Sequence, residues 1–118
     1  MSKKVLVVDD VVDIAQTLAA VVSGLGHEAT FVTDPRLALQ TAEKFQPQVI
    51  LLDIGMPYIN GYELAPILRK GLGESVRIVA VTAWGSAQDR EHSRAVGFSA
   101  HLVKPVDEAS LRKTIEAN

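Results

Sequence analysis

The sequence predicts an α/β fold in which helices cover both faces of a parallel sheet. Strand and helix patterns alternate five times along the chain, which is typical of parallel strands joined by right-handed crossovers. Residues 5–8 and 49–52 are apolar runs without polar alternation, as in strands buried on both faces. The 118 residues, 47% of them hydrophobic, suffice for a modest core. We therefore expect one α/β domain over residues 1–118.

The first strand, residues 5–8, leads through Asp9 and Asp10 into a helix. Gly24 and Gly26 are stop signals for that helix. Its apolar positions, spaced three and four apart, predict the buried face. They are Val11, Ala15, Leu18, Val22 and Leu25.

The second strand, residues 28–32, is more polar than the first and is expected at an edge of the sheet. The helix that follows should begin at Asp34 as N-cap, with Pro35 in its first position. Its inner face is predicted to comprise Leu37, Ala38, Thr41, Ala42 and Phe45.

The third strand, residues 49–52, ends at the carboxylate of Asp53. A loop through Asn60-Gly61 then leads into a helix over about residues 62–70. Pro66 should kink that helix or delay its regular part, and Gly71 and Gly73 should end it.

The fourth strand, residues 76–81, ends at Thr82, and a helix with few apolar anchors is predicted at residues 86–96. The fifth strand, residues 100–103, ends at Lys104. Asp107 should then cap a last helix packed through Leu111 and Ile115.

Five such units favour the flavodoxin-like strand order 2-1-3-4-5. This order places strands one and three side by side at the topological switch point, where ligands bind at the carboxyl edge of such sheets. Asp9, Asp10 and Asp53 should therefore share one crevice, with Thr82 and Lys104 at the same edge.

Composition excludes several classes of function. The net charge of −2 gives no basic surface for nucleic acid or anionic lipid, and the absence of cysteine excludes disulfides and thiolate metal sites. The longest apolar runs are too short to span a membrane, and the first residues do not form a signal peptide. We expect a cytoplasmic protein or a domain of a larger one.

The polar residues at the strand ends suggest a specific chemistry. Three aspartates in one crevice repel one another and would recruit a cation, and an all-oxygen site open to water suits Mg²⁺. Mg²⁺ together with Lys104 would balance the three carboxylates, so that a phosphoryl group could enter. Asp53 is then the candidate nucleophile for an acyl phosphate, with Thr82 and Lys104 on the phosphoryl oxygens.

With these residues in place, the chain resembles the receiver domain of two-component response regulators over essentially its whole length. The order and spacing of several motifs carry the resemblance. They are Val7-Val8-Asp9-Asp10, Asp53-Ile54-Gly55-Met56-Pro57, Asn60-Gly61, Val81-Thr82-Ala83 and Lys104-Pro105.

The resemblance implies that Asp53 accepts a phosphoryl group from a histidine kinase or a histidine phosphotransfer protein. It also implies Mg²⁺ held by Asp10, Asp53 and the backbone carbonyl of Gly55, with Asp9 acting through water. Lys104 would pair with the phosphoryl group. The family also implies that Thr82 and the N–H of Ala83 hydrogen-bond that group, and that the Lys104-Pro105 bond is cis. Such a domain is a signalling domain and not an enzyme, because it catalyses only its own phosphorylation and dephosphorylation.

The family's switch couples Thr82 to an aromatic residue on strand five, and the matching residue here is His101. His101 is either this switch side chain or a half-solvated histidine on a short strand. In the family, the positions of Gly55 and Trp84 tune hydrolysis of the acyl phosphate. Trp84 either shields the phosphoryl group or packs on a neighbouring loop.

The usual output surface of the family is the face formed by the predicted helix at residues 86–96, strand five and the last helix. A homodimer through this face is one possibility. The alternative is an ordinary solvated face. The charged residues that would pair across it are Asp89, Arg90, Glu91, Arg94 and Arg112.

Other protein classes fit less well. A haloacid-dehalogenase-like phosphotransferase needs a second aspartate at the position of Gly55, and an FMN-binding flavodoxin needs a hydroxyl-rich loop where Asp9 and Asp10 stand. A pseudo-receiver, which binds partners without phosphorylation, usually lacks one of the key residues. The chain is expected to be a stand-alone receiver, or the receiver of a DNA-binding regulator or of a hybrid sensor kinase.

Overall fold

The computed structural model describes residues 2–83 and 95–117. Its five strands form one parallel sheet in the order β2-β1-β3-β4-β5, which confirms the predicted fold class and strand order. The strands are β1 (Lys4–Val8), β2 (Glu28–Val32), β3 (Val49–Asp53), β4 (Arg77–Thr82) and β5 (Ala100–Val103). The described helices, numbered here in chain order, are α1 (Val12–Gly24), α2 (Ala38–Phe45), α3 (Gly61–Leu72) and α4 (Glu108–Glu116).

Helices cover the sheet on both faces because successive strand residues point to opposite sides. On one face, side chains such as Leu6 and Ile50 pack against α2 and α3. On the other, side chains such as Val7 and Leu51 pack against α1 and α4. Every residue of β3 is buried, as the apolar run predicted. Asp53 is therefore held rigidly at the end of a central strand.

Two predicted core positions are exposed because their helices start later than expected. Val11 is the extended N-cap residue of α1 and is 46% exposed. Asp34 caps a 3-10 turn at Pro35–Leu37, and α2 begins only after it. Since a 3-10 turn has three residues per turn instead of 3.6, Leu37 faces away from the core and is 47% exposed.

The prediction that Gly71 ends the third helix is wrong. Helix α3 contains Pro66 and continues through Gly71 to Leu72, and it ends at Gly73, whose φ is +89°. A Cβ at Gly71 would lie 2.6 Å from Leu39 Cδ1. The missing side chain at this position serves close packing of α3 on α2.

The predicted helix at residues 86–96 lies largely outside the described residues. So do Trp84 and the charged residues 89–94 proposed for the output surface. The fifth strand and the Asp107 cap of the last helix are confirmed. Within the described ranges, no helix has the length and apolar character needed to cross a membrane.

The C-terminal end of α4 is held at the amino edge of the sheet. Lys3 Nζ donates to the carbonyl oxygens of Ile115 and Ala117 at 2.8 and 2.9 Å. Arg77 Nη1 donates to the carbonyl of Thr114. These two cations bind carbonyl groups that have no partner within the helix, and their charge complements the helix dipole.

Candidate functional site

The carboxyl edge of the sheet brings together the polar residues that follow four strands. Three of them are almost completely buried: Asp9 is 2% exposed, Asp53 6% and Thr82 3%. Asp10 and Lys104 are half-buried. Burial of polar side chains is unfavourable unless they are satisfied, so this concentration marks the edge as a candidate site.

One carboxylate oxygen from each of Asp9, Asp10 and Asp53 lies within 4.8 Å of the others. Asp9 is fixed by its neighbours, because its Oδ1 accepts from the N–H of Val11 at 3.0 Å. Its own N–H donates to the carbonyl of Val32, at the end of β2, at 3.2 Å. The end of β2 and the residue before α1 therefore hold Asp9 in position.

Lys104 brings positive charge to the described part of the site. Its Nζ lies 3.2 Å from Asp53 Oδ1 and 3.5 Å from Asp9 Oδ2. Its main-chain N–H donates to the carbonyl of Thr82 at 2.7 Å, so β4 and β5 stay paired up to the site. The Lys104-Pro105 peptide bond is cis.

The carboxylates and Lys104 shift each other's titration. Burial raises the pKa of Asp9 above 3.8, and repulsion from Asp53 and Asp10 raises it further. The hydrogen bond from the Val11 N–H and the charge of Lys104 lower this pKa, but they offset only part of the increase. Burial alone would lower the pKa of Lys104, but attraction to Asp53 and Asp9 outweighs it, so the pKa is raised. Lys104 is therefore charged at neutral pH and compensates only part of the negative charge.

The β3–α3 loop, residues 54–60, folds back on the end of β3. The N–H of Ile54 donates to Val81 at 3.1 Å, and the N–H of Gly61 donates to the carbonyl of Ile54 at 2.9 Å. A Cβ at Gly61 would lie 2.7 Å from the carbonyl oxygen of Asp53, so only glycine fits there. Gly55 is exposed within this loop, and its N–H lies 3.4 Å from Asp53 Oδ1.

A capping box that sequence reasoning missed fixes the other end of this loop. Asn60 Oδ1 accepts from the N–H of Glu63 at 2.9 Å, and Glu63 Oε1 accepts from the N–H of Asn60 at 3.0 Å. The signal was present as an Asn with Glu three residues later. It marks the true start of α3 at Gly61.

The proposed switch residues share one face of the sheet. His101 pairs with Ala80 in the β4–β5 register, and Thr82 lies two residues after Ala80. Because residues two apart point to the same side of a strand, His101 and Thr82 face the side covered by α3. His101 is half-buried, and Ala83 is exposed directly after Thr82. Trp84 lies outside the described residues.

An apolar surface lies next to the acidic site, at the start of α1. Val11, Val12 and Ile14 are 46%, 49% and 42% exposed. Ile14 also lines a groove of about 590 Å³ between α1 and the segment that follows Lys104, which includes Pro105 and Val106. The sequence pattern had placed Val11 in the core, so this surface was not predicted.

The donor set fits Mg²⁺. Three carboxylates supply hard oxygen ligands, and the partial exposure of Asp10 leaves room for water, which Mg²⁺ retains in most protein sites. The described residues of the site offer no nitrogen or sulfur ligand of the kind that softer metals prefer. Burial is the main cause of the raised pKa of Asp9, and positive charge at this point would offset the repulsion that adds to it.

Comparison with known proteins gives a consistent result. A family model described as the response regulator receiver domain matches residues 5–116. The chemotaxis protein CheY4 of Vibrio cholerae superposes with a TM-score of 0.90 at 32% identity, covering 98% of both chains. The receiver domain of the sensor histidine kinase PA1611 of Pseudomonas aeruginosa superposes with a TM-score of 0.83 at 28% identity, covering 98% of this chain and 96% of that one. That structure is described as having a magnesium ion coordinated in its active site cleft.

The length covered differs between relatives. A probable transcriptional regulator, ycf27 of Cyanophora paradoxa, is 32% identical over 98% of this chain, but the match spans only 47% of ycf27. The chain thus spans nearly the full length of CheY4 but only about half the length of the ycf27 regulator.

Proposed function

The chain belongs to the response regulator receiver domain family, and from this premise we propose that it accepts a phosphoryl group on Asp53 in a Mg²⁺-dependent reaction. The donor is the phosphohistidine of a histidine kinase or of a histidine phosphotransfer protein. One observation carries the proposal: the Asp53 carboxylate ends a fully buried strand, 3.2 Å from Lys104 Nζ and within one oxygen cluster with Asp9 and Asp10.

In the proposed step, a carboxylate oxygen of Asp53 attacks the phosphorus atom and forms an acyl phosphate. The phosphorus–nitrogen bond to the donor histidine breaks, and the imidazole keeps the electron pair and takes up a proton. Lys104 pairs with the phosphoryl oxygens, and the hydroxyl of Thr82 and the N–H of Ala83 hydrogen-bond them. When bound, Mg²⁺ would supply positive charge that offsets the negative charge of the carboxylates and of the phosphoryl oxygens.

The residues proposed to hold Mg²⁺ are Asp10, Asp53 and the carbonyl of Gly55, with Asp9 acting through water. Gly55 and Trp84 flank the site and are proposed to set the lifetime of the acyl phosphate. The supporting contact is local: the N–H of Gly55 points to Asp53 Oδ1 at 3.4 Å, which keeps this part of the loop close to the acid.

A protein donor needs a docking surface beside Asp53. The exposed apolar start of α1 and the adjoining groove support one, because apolar patches at a site edge favour protein association. Val11, Val12 and Ile14 would contact the donor helix that carries the histidine. We propose that the chain works in the cytoplasm, where it neither binds nucleic acid through this domain nor enters a membrane.

The output is proposed to run from Thr82 to His101 and on to the face formed by residues 86–96, β5 and α4. The shared sheet face of Thr82 and His101 supports this coupling. A partner or a second copy of the chain would read the switched face, with Arg112 among the contacts. Whether the domain stands alone or serves a larger regulator does not alter this chemistry.

The test is intact-mass analysis after incubation with acetyl phosphate and Mg²⁺. We expect one added phosphoryl group on the parent chain and none on Asp53→Asn, which keeps the size of the side chain but removes the nucleophile. EDTA should abolish the modification. A parent chain that stays unmodified, with acetyl phosphate and with a histidine phosphotransfer donor, would favour the pseudo-receiver, a phosphorylation-independent interaction module.

A further inference from the structure

We propose that Asp34, Arg36 and Tyr58 form a clamp that holds the β3–α3 loop in the shape needed for Mg²⁺ binding at Asp53. These three residues are positioning residues and do not touch the metal. The inference rests on the proposed function. It adds to that function a contact between two loops, and the affinity of the site for Mg²⁺ depends on this contact.

The backbone of Tyr58 is unfavourable by itself. Its φ is +68°, a region that residues other than glycine rarely adopt. The N–H of Ile59 donates to the carbonyl of Pro57 at 2.8 Å, two residues back, so Tyr58 is the central residue of a γ-turn of the uncommon, strained kind. Such strain persists only where the surroundings hold it, and it is concentrated at functional sites.

Burial does not hold Tyr58, because the residue is 77% exposed. The contact that covers its ring is the guanidinium of Arg36, whose Cζ lies 4.3 Å from the ring centroid. This is a cation–π distance, and the planar guanidinium can also stack on the ring. Ile59, the next residue, packs against the core, and the Arg36 contact supports Tyr58 from outside the β3–α3 loop.

Arg36 is itself fixed. Its Nε and Nη2 donate to Asp34 Oδ1 and Oδ2, both at 3.0 Å, and its main-chain N–H donates to Asp34 Oδ1 at 2.9 Å. The two-point ion pair fixes the plane of the guanidinium, which a single contact would not do. Asp34 also caps the 3-10 turn at Pro35–Leu37. The clamp is thus anchored in the connection between β2 and α2.

The strand order gives the clamp its position relative to the site. Because β1 lies between β2 and β3, the loops after β2 and β3 flank Asp9 and Asp10, which follow β1. The clamp joins these two loops. Gly61 anchors one end of residues 54–60 against Ile54, and the side chains of Ile54 and Met56 are buried in the core. The contact of Tyr58 ties the same segment to the connection between β2 and α2. The clamp thus adds a contact from a second loop to those that hold the segment around Gly55.

Loss of the clamp should weaken Mg²⁺ binding, because ordering of the loop would then accompany binding. We expect Tyr58→Ala to bind Mg²⁺ at least about tenfold more weakly, as is common when outer support of a metal site is removed. Tyr58→Phe keeps the ring and should bind as the parent does. Titration calorimetry with MgCl₂ alone measures these affinities.

Arg36→Met makes the decisive comparison because two effects have opposite signs. Removal of a positive charge from a loop that flanks the acidic site should by itself strengthen binding of a cation, or leave it unchanged. The clamp predicts weaker binding, similar to that of Tyr58→Ala. The variant that carries both substitutions should bind Mg²⁺ no more weakly than either single variant, because each substitution removes the same contact. Stronger binding by Arg36→Met, or additive losses, would overturn the clamp.

Amide hydrogen exchange without metal gives an independent readout. Tyr58→Ala and Arg36→Met should speed exchange of residues 54–60, including the N–H of Ile59, while α1 stays protected as in the parent. Unchanged exchange and unchanged Mg²⁺ affinity in both variants would overturn the clamp and leave the proposed function intact. A parent chain that binds no Mg²⁺ would overturn the proposed function and the clamp's role with it.

Discussion

A side chain on Gly61 would begin 2.7 Å from the carbonyl oxygen of Asp53 and 2.8 Å from Ile54 Cα. Both contacts are to backbone, which cannot rotate away as the end of a side chain can. The first turn of α3 therefore lies directly on the backbone of the candidate phosphoacceptor. Any residue larger than glycine must displace either the helix or Asp53.

Gly61→Ala should lower the free energy of unfolding by about 1–3 kcal/mol, the usual range for overpacking of a tight site. The matched control is Gly24→Ala, where a Cβ meets nothing within 4 Å at the exposed end of α1. That substitution should be neutral or stabilising by up to about 1 kcal/mol. Urea unfolding of both variants measures the difference, and equal stabilities would contradict the packing at Gly61.

Lys104→Met should destabilise the metal-free chain at neutral pH by about 1–3 kcal/mol, because it leaves charged hydrogen-bond partners uncompensated. The raised pKa of Lys104 means that its contribution is fully present below pH 10.5 and is lost as pH rises through the higher folded-state value. Added Mg²⁺ should restore much of the lost stability. Chemical denaturation with and without Mg²⁺ measures this effect. If Mg²⁺ raises the free energy of unfolding more in the parent than in the variant, this electrostatic account is wrong.

Asp9→Asn should stabilise the metal-free chain at neutral pH. The pKa of Asp9 is raised above 3.8 in the folded state. Between pH 3.8 and this raised pKa, the folded chain binds more protons than the unfolded chain, so its stability falls as pH rises. Asparagine keeps an oxygen that can accept from Val11 and removes the charge. The gain should be absent below pH 3.8 and complete above the raised value, as unfolding at several pH values would show. A variant less stable than the parent at neutral pH would contradict this.

Asn60→Ala should lower stability by about 1 kcal/mol, the typical value of an N-cap. It leaves the N–H of Glu63 without its acceptor and disrupts the capping box. Asn60→Asp keeps the acceptor and should lie within a few tenths of a kcal/mol of the parent. Chemical denaturation of the three proteins tests this, and equal losses in both variants would show that the cap oxygen is not the stabilising group.

The sequence was most informative where local pattern and topology agree. The apolar runs before Asp9 and Asp53 predicted buried strands, and the alternation of strands and helices predicted the parallel order that brings the aspartates together. Helix starts were less accurate. Val11 and Leu37 fit a helical spacing, but one is an extended cap and the other lies in a 3-10 turn.

Contacts between loops could not be read from the sequence. Arg36 and Tyr58 belong to different loops, and neither residue type has a pattern that indicates the other. Only the placement of β2 and β3 on either side of β1 brings them together. The left-handed backbone of Tyr58 was equally hidden, since residues other than glycine seldom adopt it.

The contact between Lys3 and the carbonyl of Ala117 means that the two ends of the described fold meet at the sheet edge opposite Asp53. A circular permutant with these ends joined by a short linker, and new ends in the exposed turn after Gly73, should therefore fold with the same sheet. All four strand ends that carry the acidic site would keep their places. The site depends on how the strands are arranged in space, and not on where the polypeptide starts.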